Sequence, residues 1–131
     1  MRSSPGRVLL GGFSQGAMMT FQVGLPRPDL FAWLVALSGR IDDAQALEDR
    51  LPPERDQPVF IAHGTQDPLI NVEQAREARD FLEAQGCRPN YYEYPMAHQI
   101  TQEVLQDMVP WIHLTLPWPR RSDLRPRPTL P

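Results

Sequence analysis

The chain alternates short apolar runs with stretches of helical spacing. Arg7-Val8-Leu9-Leu10-Gly11 is rich in strand formers and leads into the glycine-flanked Gly12-Phe13-Ser14-Gln15-Gly16, after which Ala17 to Gln22 reads as helix. Pro26 and Pro28 close that helix. Phe31-Ala32-Trp33-Leu34-Val35-Ala36-Leu37 is a second apolar run, stopping at Ser38-Gly39. Residues 42 to 57 are charge-rich and carry the adjacent Pro52 and Pro53, which predicts a short helix and an exposed connection.

Pro58-Val59-Phe60-Ile61-Ala62 supplies a third strand. Asn71 with Gln74 three residues on makes a capping pair, and Val72, Ala75, Ala78, Phe81 and Leu82 share one helical face before Gly86. Asn90 to Tyr94 is a fourth strand. Val104, Leu105, Met108, Trp111 and Ile112 then follow the spacing of a helix packed on a sheet, with Pro110 expected to bend it by removing one hydrogen-bond donor. Strands alternating with helices, without hairpin signals, predict an α/β fold: a mostly parallel sheet of about four strands flanked by helices. This domain spans residues 1–116. Residues 117–131 hold five prolines and four arginines, a composition unsuited to a packed core and expected to form a disordered tail.

Composition narrows the function. The 131 residues are 41% hydrophobic and 22% charged, with a formal net charge of −3, an ordinary balance that gives no reason to expect nucleic acid and suits a small-molecule substrate. All 13 basic residues are Arg, a bias put down to genome composition. The single Cys87 cannot form an intrachain disulfide, and the sequence has neither a signal-peptide pattern nor a long apolar run; a cytoplasmic setting without stable membrane insertion is expected.

Chemistry concentrates at Ser14. A serine hydroxyl is a poor nucleophile at neutral pH and needs a base within reach, a group to hold that base, and donors for the developing oxyanion. Gly-x-Ser-x-Gly between a strand and a helix places the serine on a sharp turn whose glycines avoid collisions with neighbouring elements. The acid should follow a later strand, and Asp67 lies five residues beyond Ala62; an Asp before Pro68 also suits a simple turn. The base should follow the last strand, where His98 lies in Tyr94-Pro95-Met96-Ala97-His98, although a solvent-facing loop histidine would look the same. His63 is expected to pack beneath the acid loop and His113 to lie on the last helix. No metal-ligand spacing is present, so neither metal nor other cofactor is expected.

Gly11 to Ala17, Leu37-Ser38-Gly39, Pro58 to Pro68 and Tyr94 to His98 together resemble the phospholipase/carboxylesterase group of α/β-hydrolases, which includes acyl-protein thioesterases and small bacterial carboxylesterases. The resemblance covers about residues 6 to 116 and corresponds to the carboxyl-terminal part of that group. It implies hydrolysis of carboxylic esters or thioesters, with Ser14 attacking the carbonyl, His98 moving the proton, Asp67 orienting His98, and the Gln15 amide as one oxyanion donor. Members of the group begin with further strands and a loop that completes the oxyanion hole. The expectation is therefore a fragment, or a misassigned start, in which Val8 to Leu10 forms an exposed hydrophobic edge. The alternative is a catalytically impaired or non-catalytic interaction remnant of such an enzyme.

Overall fold

The computed structural model describes residues 8–53 and 55–115. Four strands, β1 (Leu9–Phe13), β2 (Trp33–Leu37), β3 (Val59–Gly64) and β4 (Pro89–Tyr94), form one parallel sheet in the order β1-β2-β3-β4. Helices α1 (Gln15–Met19), α2 (Ala44–Glu48) and α3 (Val72–Ala84) connect successive strands, and α4 (Gln102–Thr115) follows β4. The fold is α/β, as the alternation of apolar runs and helical spacing predicts. The expected Pro-rich tail lies outside the described residues.

A period of two sends neighbouring strand residues to opposite faces. Leu34, Ala36, Val59 and Ile61 pack with Ala17 and Phe21, with Leu47 of α2, and with Ala78 and Leu82 of α3. Val35, Leu37, Phe60 and Ala62 pack with Val104 and Trp111 of α4. The connecting helices thus cover one face and α4 the other. Such two-sided burial is the reason β2 and β3 read as unbroken apolar runs.

Local chemistry sets the element ends. The helix after Ser14 is shorter than its spacing suggests: α1 passes at Thr20 into a π-helical segment, Thr20–Gly24, where the Thr20 hydroxyl donates to the Gly16 carbonyl at 2.8 Å. The Asn71 side chain caps α3 by accepting from the Glu73 amide, while the Gln74 amide donates to the Asn71 carbonyl. Gly86 leaves α3 with φ +86°, which lets the Cys87 amide return to the Leu82 carbonyl at 2.9 Å. Helix α4 continues through Pro110, and its last residue, Thr115, accepts at its carbonyl from the Trp33 indole at 3.0 Å. That bond ties the end of α4 to the start of β2.

The sheet is asymmetric. All five residues of β2 and all six of β3 are buried, whereas no residue of β1 is. β1 pairs with β2 on one side, and among the described residues no strand pairs with its other side.

Candidate active site

Because the sheet is parallel, the carboxyl ends of β1, β3 and β4 lie at one edge, and these ends carry Ser14, Asp67 and His98. Ser14 occupies a strained backbone conformation, φ 60° and ψ −115°, between β1 and α1. Its amide donates to the Leu37 carbonyl at 2.8 Å, fixing the turn to the end of β2. A Cβ on Gly12 would sit 2.3 Å from the backbone carbonyl of Gly16, so the turn closes only with glycine there. The second glycine of the motif differs from expectation: a Cβ on Gly16 would meet no described atom within 4 Å.

The end of β2 supports this turn. Ser38 is buried with φ 56°, and a Cβ on Gly39 would lie 2.4 Å from that of Ala17 and 3.3 Å from the Ser14 carbonyl oxygen. Leu37-Ser38-Gly39 is therefore the seat on which the turn and α1 rest. Neither role is visible in the sequence beyond a Ser-Gly pair closing an apolar run.

Asp67 follows β3 on a tight loop. Its Oδ1 accepts from the amides of Leu69 at 2.8 Å and Ile70 at 2.9 Å, which leaves Oδ2 for the ring of His98. Burial alone would raise the carboxyl pKa. The Ile70 amide, the His98 ring and the Leu69 amide outweigh burial and hold it below the ordinary value. An ionised Asp67 only accepts hydrogen bonds, so the His98 Nδ1 bears the proton donated to Oδ2 at 2.7 Å. Its Nε2 is then bare and accepts from the Ser14 hydroxyl at 2.9 Å.

The acid and base loops are joined directly. The amides of Thr65 and Gln66 donate to the carbonyls of Tyr94 and Met96 at 2.8 and 3.1 Å. A Cβ on Gly64 would lie 2.2 Å from the Met96 carbonyl oxygen and 2.5 Å from that of Ala97, so this approach too requires glycine. Phe13 packs against His98 with ring centroids 4.9 Å apart and planes inclined by 42°. These two supporting residues went unread in the sequence; the only signals were His63-Gly64 closing an apolar run and an aromatic beside the serine.

The structure thus brings Ser14, Asp67 and His98 together. Gln15 opens α1 and is exposed; as first residue of a helix, its amide has no intrahelical acceptor. His63 is fully buried beneath the acid loop and His113 lies on α4, as expected. Cys87 packs in the core with a thiol pKa raised by burial, the opposite of an activated nucleophile. Among the described residues, no three His, Cys, Asp or Glu side chains cluster to hold a metal, and no helix is long and apolar enough to cross a membrane.

Known proteins share this arrangement of elements. The chain is 33% identical over 120 residues to acyl-protein thioesterase 1 of Kluyveromyces lactis, covering 86% of this chain and 52% of that protein. It is 32% identical over 115 residues to acyl-protein thioesterase 1 of Neurospora crassa, covering 85% and 47%. The chain spans about half the length of these curated relatives. Among solved structures, Arabidopsis thaliana SOBER1 superposes with a TM-score of 0.79 at 27% identity, covering 86% of this chain and 54% of that one. Esterase PE8 superposes with a TM-score of 0.75 at 30% identity, covering 86% and 52%. A family model described as phospholipase/carboxylesterase matches residues 3–116, and the chain belongs to that family.

Proposed function

We propose that this sequence carries the nucleophile, base and acid of a serine hydrolase acting on small-molecule carboxylic esters or thioesters. The observation that supports this most is the His98 ring, hydrogen-bonded on one side to Ser14 Oγ and on the other to Asp67 Oδ2. The names of the relatives support the ester and thioester scope. A reducing, cytoplasmic setting fits the single buried Cys87.

In this reading the Ser14 oxygen attacks the carbonyl carbon while His98 Nε2 takes the hydroxyl proton. Asp67 stabilises the resulting imidazolium without itself becoming protonated. The carbonyl oxygen gains the negative charge and is met by the Gln15 amide. When the tetrahedral intermediate collapses, the carbon–oxygen or carbon–sulfur bond breaks, and His98 returns the proton to the departing alkoxide or thiolate. A water then attacks the acylated Ser14, losing its proton to His98, and the acid is released as the Ser14 oxygen recovers that proton. No metal or cofactor enters the sequence.

Gln15 supplies one oxyanion donor, and loss of one such donor typically costs about 100- to 1000-fold in turnover. A protein limited to this single donor would turn over slowly, so covalent labelling of Ser14 tests the assignment more directly than turnover. A fluorophosphonate probe should label the protein, and Ser14→Ala should abolish the labelling. Persistent labelling in Ser14→Ala, or none of the unaltered protein, would overturn the assignment.

A further inference from the structure

His63 is one of two histidines within reach of Asp67. It follows Ala62 at the end of β3 and is completely buried. Its Nε2 lies 2.7 Å from the Ile70 carbonyl oxygen and 3.5 Å from Asp67 Oδ2, and both side chains of this pair are without solvent exposure. A carbonyl oxygen only accepts, so Nε2 must bear a proton. Ile70 in turn donates its amide to Asp67 Oδ1 at 2.9 Å. Ile70 thus links the two side chains: the ring holds its carbonyl oxygen, and its amide holds the carboxylate.

Nothing in the proposed reaction uses His63, and an imidazole buried this completely is costly unless hydrogen-bonded, as its Nε2 is to Ile70. Its Nδ1 has no hydrogen-bond partner among the described residues. The neighbouring position across the sheet, one beyond the Leu37–Ala62 pair, is Ser38, whose buried hydroxyl is likewise without a partner there.

We infer that His63 is a positioning residue for the acid, aiming Asp67 Oδ2 at His98 through the backbone of Ile70. This rests on the assignment of Asp67, His98 and Ser14 proposed above. Asp67 is thereby held from two sides, by the catalytic base at the surface and by a permanently buried histidine beneath it. The orientation of the base then depends on a residue that never meets substrate.

The test compares His63→Leu and His63→Gln in the intact protein, assayed on a short-chain p-nitrophenyl ester, with Ser14→Ala as control. Glutamine carries an amide N–H the same number of bonds from its Cβ as the histidine Nε2–H, whereas leucine carries no donor. A small displacement of a catalytic group can cost about 100-fold, so His63→Leu should lower kcat by about 10- to 100-fold with KM within about 2-fold. His63→Gln should recover most of the loss. Wild-type kcat in His63→Leu, or a His63→Gln as impaired as it, overturns the inference. If Ser14→Ala abolishes hydrolysis while His63→Leu is unaffected, only the role of His63 fails; if Ser14→Ala remains active, the hydrolase assignment fails. Should His63→Leu not fold, nitrogen-15 spectra of the unaltered protein decide: the expected His63 signal is a ring with a proton on Nε2, and a ring bare at Nε2 contradicts the link to Ile70.

Discussion

The two halves of the sheet hold their parts of the site in different ways. On the β3–β4 side, Asp67 and His98 sit on loops joined by paired backbone bonds, above a strand buried along its whole length. On the β1 side, Ser14 sits on a strand with no buried residue, and its turn is held by strained backbone at Ser14 and Ser38 and by a close approach at Gly12. One half positions its groups by several ordinary backbone bonds between its two loops, the other by a few unusual conformations resting on β2. Strain of this kind persists only where the surroundings enforce it. The nucleophile is thus the group most exposed to any loosening of its seat.

The two glycines flanking Ser14 give the sharpest way to break that contrast. In Gly12→Ala the new methyl would overlap the Gly16 backbone, which cannot swing aside as a side chain can. A loss of about 3 kcal/mol is expected, at the upper end of overpacking costs, with a fall in Tm of about 10 °C or more. Gly16→Ala meets open space within α1 and should raise stability by roughly 0.5 to 1 kcal/mol, because alanine loses less backbone freedom in a helix. Thermal melts of both variants check the pair. Equal destabilisation would show that the turn is held by something other than the Gly12 approach.

The unpaired side of β1 separates the halves in a second way. Leu10, Gly11, Gly16, Met19, Thr20 and Val23 line a shallow groove beside it, and Val8, Met19 and Val23 are exposed by 41, 58 and 39%. An apolar edge with free backbone groups is a template for strand pairing. The 131-residue chain, expressed by itself, is therefore expected to self-associate, and Val8→Lys with Met19→Lys should shift it toward monomer in size-exclusion chromatography. A monodisperse monomer of the unaltered chain, with a sharp cooperative melt, would show that this edge is adequately protected.

The same contrast governs what the sequence reveals. β2 and β3 are legible because burial on both faces demands consecutive apolar residues, and α3 because Ala75, Ala78 and Leu82 repeat on one face. Ser14, Asp67 and His98 are legible as candidates because parallel strands deliver their following loops to one end in chain order. Their supports are not. Gly12, Gly16 and Gly64 look alike in sequence, and only the distant segment that each meets distinguishes them: α1 for Gly12, the Met96-Ala97 carbonyls for Gly64, and no described atom for Gly16. The π-helical segment after α1 likewise reads as continuous helix, since Thr20 gives no pattern signal for its bond back to Gly16. His63 is recognisable as buried from its place beside an apolar strand, but its link to Ile70 depends on how the acid loop folds back.

The smallest expected effect lies on the better-supported half. Glu93 on β4 accepts from Arg76 of α3 at 2.7 and 2.9 Å and from the Tyr91 hydroxyl at 2.6 Å. The Arg76 hydrogen bonds, aided by Tyr91, outweigh the opposing effect of burial and bring the carboxyl from its ordinary 4.5 to about 2. A carboxyl depressed on folding contributes stability that is fully present above its unfolded value and disappears as pH falls through the folded one. The Glu93 contribution should therefore be constant above about pH 4.5 and decline toward pH 2. Because Arg76 remains 38% exposed, solvent screens the pair and the effect should stay below about 1 kcal/mol. Denaturant titrations at stepped pH should show Glu93→Gln slightly less stable at neutral pH, with the difference closing between pH 4.5 and 2. A difference that persists unchanged at the acid end would mean that Glu93 acts through packing rather than charge, and that α3 is bound to β4 chiefly by its buried face.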